Sequence, residues 1–264
     1  MLCRALAELG FTRTEADHGV FLKEIEDDII ILAVHVDDCM ITVSSTKHIS
    51  NFKVKMNAKY KLTNLGPAHW LLGIKITCNL LLSQEAYIES IITRFNFNDL
   101  KPSSIPINPS ALLLKSQSPS KLEDIAKMKN VPYREAVGSL MYVAMGTRPD
   151  IAFATLTVAQ FSDNLGWAHW EAVKQIFHYL LGTQKLELVY GGENRGLVGY
   201  VDADGASQEH RHAISGYIFL VDGGAVLWSL KKQELVTLST TEAEYVAATH
   251  AAKEAVWLCW LLSE

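Results

Sequence analysis

Five of the chain's seven prolines, Pro102, Pro106, Pro109, Pro119 and Pro132, fall in one stretch. Proline lacks the N–H that helices and central strands use in their ladders, so neither element can run through such a stretch. Set among Ser, Asn and Lys, it reads as an extended, exposed linker over residues 101–132. It separates residues 1–100 from residues 133–264, and a change from helical to β-rich patterning divides the latter into 133–196 and 197–264.

In the front part, Leu2, Leu6 and Leu9 have helical spacing and Gly10 stands where a helix would stop. A chain that opens inside a helix predicts a preceding segment of the same fold. Residues 19–36 and 39–45 are β-rich runs separated by Asp37-Asp38, an interval that fits a two-residue hairpin turn. Ser44, Ser45 and Thr46 are cap candidates for a helix over about 47–59, with Ile49, Phe52 and Met56 on one face. Residues 69–77 and 80–84, joined across Cys78-Asn79, read as a second hairpin. Tyr87, Ile88, Ile91, Ile92 and Phe95 then trace an amphipathic helix.

Behind the proline stretch, Val137, Leu140, Met141 and Ala144 trace one helix. Pro149 is placed to start a second, and Trp170, Val173, Phe177 and Leu180 trace a third ending at Gly182. Three β-rich runs follow, residues 197–203, 213–221 and 224–230, and then a helix from about Thr240 to the end. Ser239 and Glu242 form a capping-box pattern at its start. Glu244, Ala247, Ala248, Ala251, Ala255, Leu258 and Leu262 share one face of it, which predicts close packing on a sheet with Glu244 on the packed stripe. The fold class expected is α+β.

At 264 residues and 49% hydrophobic content the chain can fill ordinary cores. No apolar run is long enough to span a membrane and the start lacks the order of a signal peptide, so a soluble intracellular protein, in cytoplasm or nucleus, is expected. Cys3, Cys39, Cys78 and Cys259 show neither zinc spacing nor a disulfide framework. A net charge of −5 argues against a simple polyanion binder, but the middle of the chain is mildly basic and the acid sits at both ends.

Two sets of acids stand out. Asp37 and Asp38 are adjacent carboxylates between apolar strands. Their mutual repulsion is relieved by a divalent cation, the clamp that phosphoryl transfer uses; the same dipeptide is also ordinary turn chemistry. Asp202, near the end of a β-rich run, and Glu244, on the capped helix, could converge on one magnesium ion, with Asp204 on the same side of the strand as Asp202. Read without that ion, they are strand-end acids and a helix N-terminal acid favoured by the macrodipole. Trp167-Ala168-His169-Trp170 with Lys174 could stack on nucleic acid, although helical spacing makes Trp170 a core residue.

Further motifs recur in order. The front carries His35-Val36-Asp37-Asp38, Leu65-Gly66 through Leu72-Gly73-Ile74, and Leu82-Ser83-Gln84 with Tyr87-Ile88. The middle carries Tyr133-Arg134, Val137-Gly138-Ser139-Leu140-Met141-Tyr142, Thr147-Arg148-Pro149-Asp150, His169-Trp170 and Tyr179-Leu180-Leu181-Gly182-Thr183. The rear carries Gly199-Tyr200-Val201-Asp202-Ala203-Asp204, Ser215-Gly216-Tyr217, Trp228 with Lys232-Gln233, and Ser239-Thr240-Thr241-Glu242-Ala243-Glu244-Tyr245. Over essentially the whole chain, this series resembles the reverse transcriptase and ribonuclease H region of copia-type retrotransposon polyproteins. His35 stands where that family usually has Tyr, Gly205 where it has Trp, and Leu165 where it has Pro.

The resemblance implies a partial reverse transcriptase palm over residues 1–100 and a helical thumb or connection over 133–196. It implies a truncated ribonuclease H-like sheet and helix over 197–264. Asp37 and Asp38 would be polymerase metal carboxylates; Asp202 and Glu244 would be the first two ribonuclease H carboxylates. The cofactor implied is Mg2+, and the partner is template–primer or an RNA–DNA hybrid, in the service of reverse transcription and transposition. The family needs a further palm aspartate and further ribonuclease H acids that these residues do not supply, so the isolated chain is expected to be inactive. The alternatives are a non-catalytic hybrid-binding module and a slice of a longer active polyprotein. Incomplete sheets would favour association through an exposed edge.

Overall fold

The computed structural model describes residues 2–25, 28–77, 80–108, 112–192, 196–204 and 212–264. Three positions named above, the Cys78-Asn79 junction, Pro109 and Gly205, lie outside the described residues. The chain divides into two compact units, residues 1–68 with 253–264, and residues 69–252.

The first unit begins with α1 (Leu2–Glu8). Gly10, at φ +84°, ends it: the Phe11 N–H reaches Leu6 O and the Gly10 N–H reaches Ala7 O, a Schellman closure that needs a left-handed residue. Next come β1 (Thr12–Arg13), β2 (Val20–Ile25), β3 (Asp28–His35) and β4 (Asp38–Thr42), an antiparallel meander in that order. The single β-rich run expected over 19–36 is thus two strands, paired from Ile25 opposite Asp28. On β3, Ile30 and Leu32 are buried while Ile29 and Ile31 are exposed, the alternation of a sheet with one packed face. α2 (Thr46–Asn57) supplies Met56 to the cluster of Leu6, Phe11, Phe21, Ile30 and Leu32. Ser45 is its N-cap by backbone but makes no side-chain cap bond; Ser44 Oγ instead donates to the Asp28 carboxylate, which also pairs with His48.

The second unit contains β5 (Trp70–Leu71), β6 (Ile74–Ile76), β7 (Leu81–Ser83) and α3 (Glu85–Arg94). After them come α4 (Leu122–Met128), α5 (Tyr133–Gly146), α6 (Ala152–Ala159) and α7 (Trp167–Gly182). β8 (Leu188–Val189) then pairs with β7. Helices α3, α5, α6 and α7 enclose the main core, in which Ile88, Leu140, Val173 and Phe177 are fully buried. Met141, expected on the inner face of α5, is 45% exposed, because Val143 one turn on from Leu140 takes that place. The stretch 101–132 does not run free. The Ser103 N–H donates to His178 O, Ser118 Oγ to Asn164 O, and Leu113 packs on the helical core.

The unit closes with β9 (Leu197–Asp204), β10 (Ile214–Val221) and β11 (Gly224–Lys232), antiparallel in the order β11-β10-β9. Trp228 Nε1 donates to Ala144 O at 2.8 Å, so an indole from β11 satisfies a carbonyl near the end of α5. The long α8 (Thr240–Ser263) follows. Ser239 Oγ accepts from the Glu242 N–H at 3.1 Å, while the Glu242 carboxylate accepts from the Leu238 N–H at 2.7 Å, a capping box shifted back by one residue on its return arm. Residues of α8 from Lys253 onward belong to the first unit, where Trp257 Nε1 donates to Ala16 O. Among the described residues no helix is long and apolar enough to cross a membrane.

Candidate functional site

Asp37 and Asp38 stand at the tip of the β3–β4 hairpin. His35 pairs with Asp38, so the two turn residues are Val36 and Asp37, and Asp38 opens β4. This differs from the turn expected at Asp37-Asp38 by one residue. The reason is cross-strand matching: the observed register sets Ile41 opposite buried Leu32 and lets Val43 join the same core cluster. Val36 takes φ +54° and is 82% exposed. A positive φ at the first central residue belongs to a turn that normally takes glycine there, so a β-branched residue is strained. Both aspartates are exposed, and among the described residues neither side chain has a hydrogen-bond or ion-pair partner. Burial and the neighbouring Asp38 carboxylate raise the Cys39 thiol above its ordinary value.

Asp202 lies on the edge strand β9, and Glu244 lies in the second turn of α8. The two elements meet through alanines: Ala203, Ala213, Ala243 and Ala247 form one small buried cluster. The packed stripe of α8 therefore passes through Ala243, Ala247 and Ala251, and Glu244 is exposed on its flank, in contrast to the expected stripe. At about 100° per residue, a one-residue shift in phase is enough to move a side chain from the packed stripe to its edge. Strand alternation puts Asp202 and Asp204 on the side of β9 opposite Ala203. The structure thus brings Asp202 and Glu244 onto adjoining elements without gathering them under one packed face.

Among the described residues no group of three or more His, Cys, Asp or Glu could hold a metal ion. The hairpin tip offers two adjacent exposed carboxylates, Asp37 and Asp38, a donor set that fits magnesium, which commonly takes one or two carboxylates and completes its octahedron with water and phosphate oxygens. Asp202 and Glu244 form no such joint set, because Asp202 faces away from the side of β9 that packs on α8.

The middle motifs prove to be structural. Arg148 is 1% exposed and donates from Nε and Nη2 to the Asp150 carboxylate, from Nη1 to Thr183 O and from Nη2 to Thr183 Oγ1, while Tyr179 Oη donates to Asp150 Oδ2. Burial works against the Asp150 charge, but the Arg148 hydrogen bonds and charge, with the Tyr179 hydroxyl, outweigh it and hold the carboxyl below its usual range. His169 is fully buried and stacked on Phe161; its Nδ1 accepts from the Gly166 N–H at 2.8 Å, which leaves Nε2–H to donate to Leu114 O at 3.1 Å. Burial lowers its pKa, against a smaller opposing effect of the Leu114 hydrogen bond. Trp170 packs against the core, whereas Trp167 is 62% exposed with Lys174 Nζ over its ring.

A family model described as reverse transcriptase (RNA-dependent DNA polymerase) matches residues 1–109. The chain is 31% identical over 256 residues to a putative transposon Ty5-1 protein of Saccharomyces cerevisiae, covering 94% of the chain and 81% of that protein. The chain belongs to the copia-type reverse transcriptase family. Within the family it is 43% identical over 261 residues to the Retrovirus-related Pol polyprotein from transposon TNT 1-94 of Nicotiana tabacum, covering 96% of the chain. It is 33% identical over 264 residues to that from transposon RE1 of Arabidopsis thaliana, covering 98% of the chain. It spans only 20% and 18% of the lengths of those two polyproteins. No solved structure matches this reverse transcriptase-family chain.

Proposed function

We propose that this copia-type chain carries the metal-binding hairpin of an RNA-directed DNA polymerase and the first two carboxylates of a ribonuclease H. Residues 1–100 would serve as palm, 133–196 as thumb or connection, and 197–264 as the ribonuclease H-like part. The observation that carries the reading is the strained tip at Val36. Strain of about 1–3 kcal/mol persists only where surrounding structure enforces it, and here it sits beside two exposed, uncompensated carboxylates. Paired strands hold Asp37 and Asp38 at a fixed spacing, and the exposed tip admits a phosphate chain. Magnesium, when bound, supplies a clamp on phosphate oxygens and neutralises charge in an in-line displacement. Template–primer and RNA–DNA hybrid are the substrates this chemistry fits.

Each site draws two carboxylates from the described residues, and removing one ligand or displacing a reacting oxygen loses orders of magnitude in rate. The isolated chain is therefore expected to extend no primer and cut no hybrid in magnesium. Primer extension abolished by Asp37→Asn, or hybrid cleavage abolished by Asp202→Asn, would show the sites to be complete and overturn that expectation. A second reading, hybrid binding without cleavage, is favoured by exposed Trp167 under Lys174 on α7. It predicts a gel shift of RNA–DNA duplex at low salt that weakens as salt rises and with Trp167→Ala.

A further inference from the structure

The sheet β11-β10-β9 has one covered border and one open border. On the β11 side Tyr190 Oη donates to Ala225 O, the Gly192 N–H donates to Asp222 O, and Trp228 is tied to α5. On the β9 side no further strand pairs among the described residues, although β9 runs for eight residues.

The hydrogen-bonding phase of β9 follows from its neighbours. The Gln233 N–H donates to Ala213 O at 2.8 Å, one step beyond the Ile214–Lys232 pair, so Ala213, Ser215 and Tyr217 turn their backbone groups towards β11. Ile214, Gly216 and Ile218 therefore turn theirs towards β9, where they meet Asp204, Asp202 and Tyr200. Alternation leaves Leu197, Gly199, Val201 and Ala203 with N–H and C=O directed outward, a ready template for another strand.

Edges of this length are usually guarded by lysine, proline or a bulge. β9 carries neither residue, and the register shift of this sheet lies between β10 and β11. Tyr200, on the face away from Ala203, is 62% exposed. The charges of β9, Asp202 and Asp204, stand at one end, and that asymmetry decides which strand fits. A second β9 laid parallel and in register would set Asp202 against Asp202, a like-charge clash. Laid antiparallel about a two-fold axis at Tyr200, it sets Leu197 opposite Ala203, Val198 opposite Asp202 and Gly199 opposite Val201. The two Tyr200 rings then lie side by side, no acid faces another, and the outward groups pair through about eight hydrogen bonds. We propose that β9 is a self-association edge, through which two copies of this chain join antiparallel into one continuous sheet. The inference does not depend on reading Asp202 as a metal ligand.

Sedimentation equilibrium of the full chain should show the average mass rising from monomer towards dimer with concentration. Y200K and Y200E change an exposed side chain and should leave the circular dichroism spectrum unchanged. Each should hold the chain as monomer, because like charges meet at the two-fold axis. Mixing the two should restore the dimer, since opposite charges then face each other. V201P removes an outward N–H that β10 does not use, and should weaken association by about tenfold or more. Should V201P not fold, the Y200K and Y200E pair still decides. A parent that stays monomeric at its highest soluble concentration, a dimer that persists in Y200K, or a mixture that remains monomeric overturns the proposal.

Discussion

Two aspartates in this chain live in opposite surroundings. Asp150 is tied to a fully buried arginine, a tyrosine hydroxyl and, through Arg148, to the end of α7. Asp38 stands open at a hairpin tip beside a residue in a left-handed conformation, with no partner for its carboxylate among the described residues. Both belong to motifs that the family resemblance singled out. The difference teaches that a motif's residue types do not reveal its purpose: Arg148 and Asp150 hold the helical layer together, while Asp37 and Asp38 contribute little that folding needs.

The sharpest test of that contrast is Arg148→Ala. It strands Asp150 and empties a fully buried site, so a loss of about 3–5 kcal/mol is expected in chemical denaturation. Asp37→Asn and Asp38→Asn should stay within about 0.5 kcal/mol of the parent. Equal losses at both places would erase the comparison.

Acid should find the same asymmetry with a smaller effect. His169 and Asp150 both have folded-state pKa values below their ordinary ones. A depressed group gives stability that is present above its unfolded pKa and is lost as pH falls through its folded value. His169 therefore weakens the fold as pH drops below about 6.5, and Asp150 adds to this below about 3.9. Thermal melts from pH 8 to pH 3 should fall in these two stages, and His169→Gln should remove the first. A melting temperature flat from pH 7 to pH 5 would contradict the buried neutral tautomer.

The smallest expected change runs the other way. Val36→Gly relieves a β-branched residue at φ +54° and should stabilise the first unit by about 1 kcal/mol. Its reading by urea denaturation, alongside Asp38→Asn, asks whether strain at the tip is separable from the carboxylates it presents. Destabilisation by glycine would show that the tip is not strained.

Much of the architecture is legible in the sequence. Periodicity located α2, α3, α5, α7 and α8, β-rich composition located β9, β10 and β11, and Gly10 marked the end of α1, because each signal is local to a few residues. Phase and partnership were not legible. The turn moved to Val36 because cross-strand contacts of Ile41 select the register, and no residue at position 36 advertises a left-handed turn. The prolines pointed to an extended linker over 101–132, whereas residues 122–128 form α4 and the Ser103 N–H is tied to His178 O on α7.

By itself, then, the sequence determined the α+β order of elements, the family, and which acids deserve scrutiny. Only the tertiary structure decided that Ala243 rather than Glu244 lies on the packed face of α8, and that Gln233 ties that helix to β10. It also showed that Arg148 is a buried strut. The physical reason is one of range. A pattern of apolar spacing is written along a few turns of chain, whereas a face, a register or a hydrogen-bond partner is selected by atoms dozens of residues away.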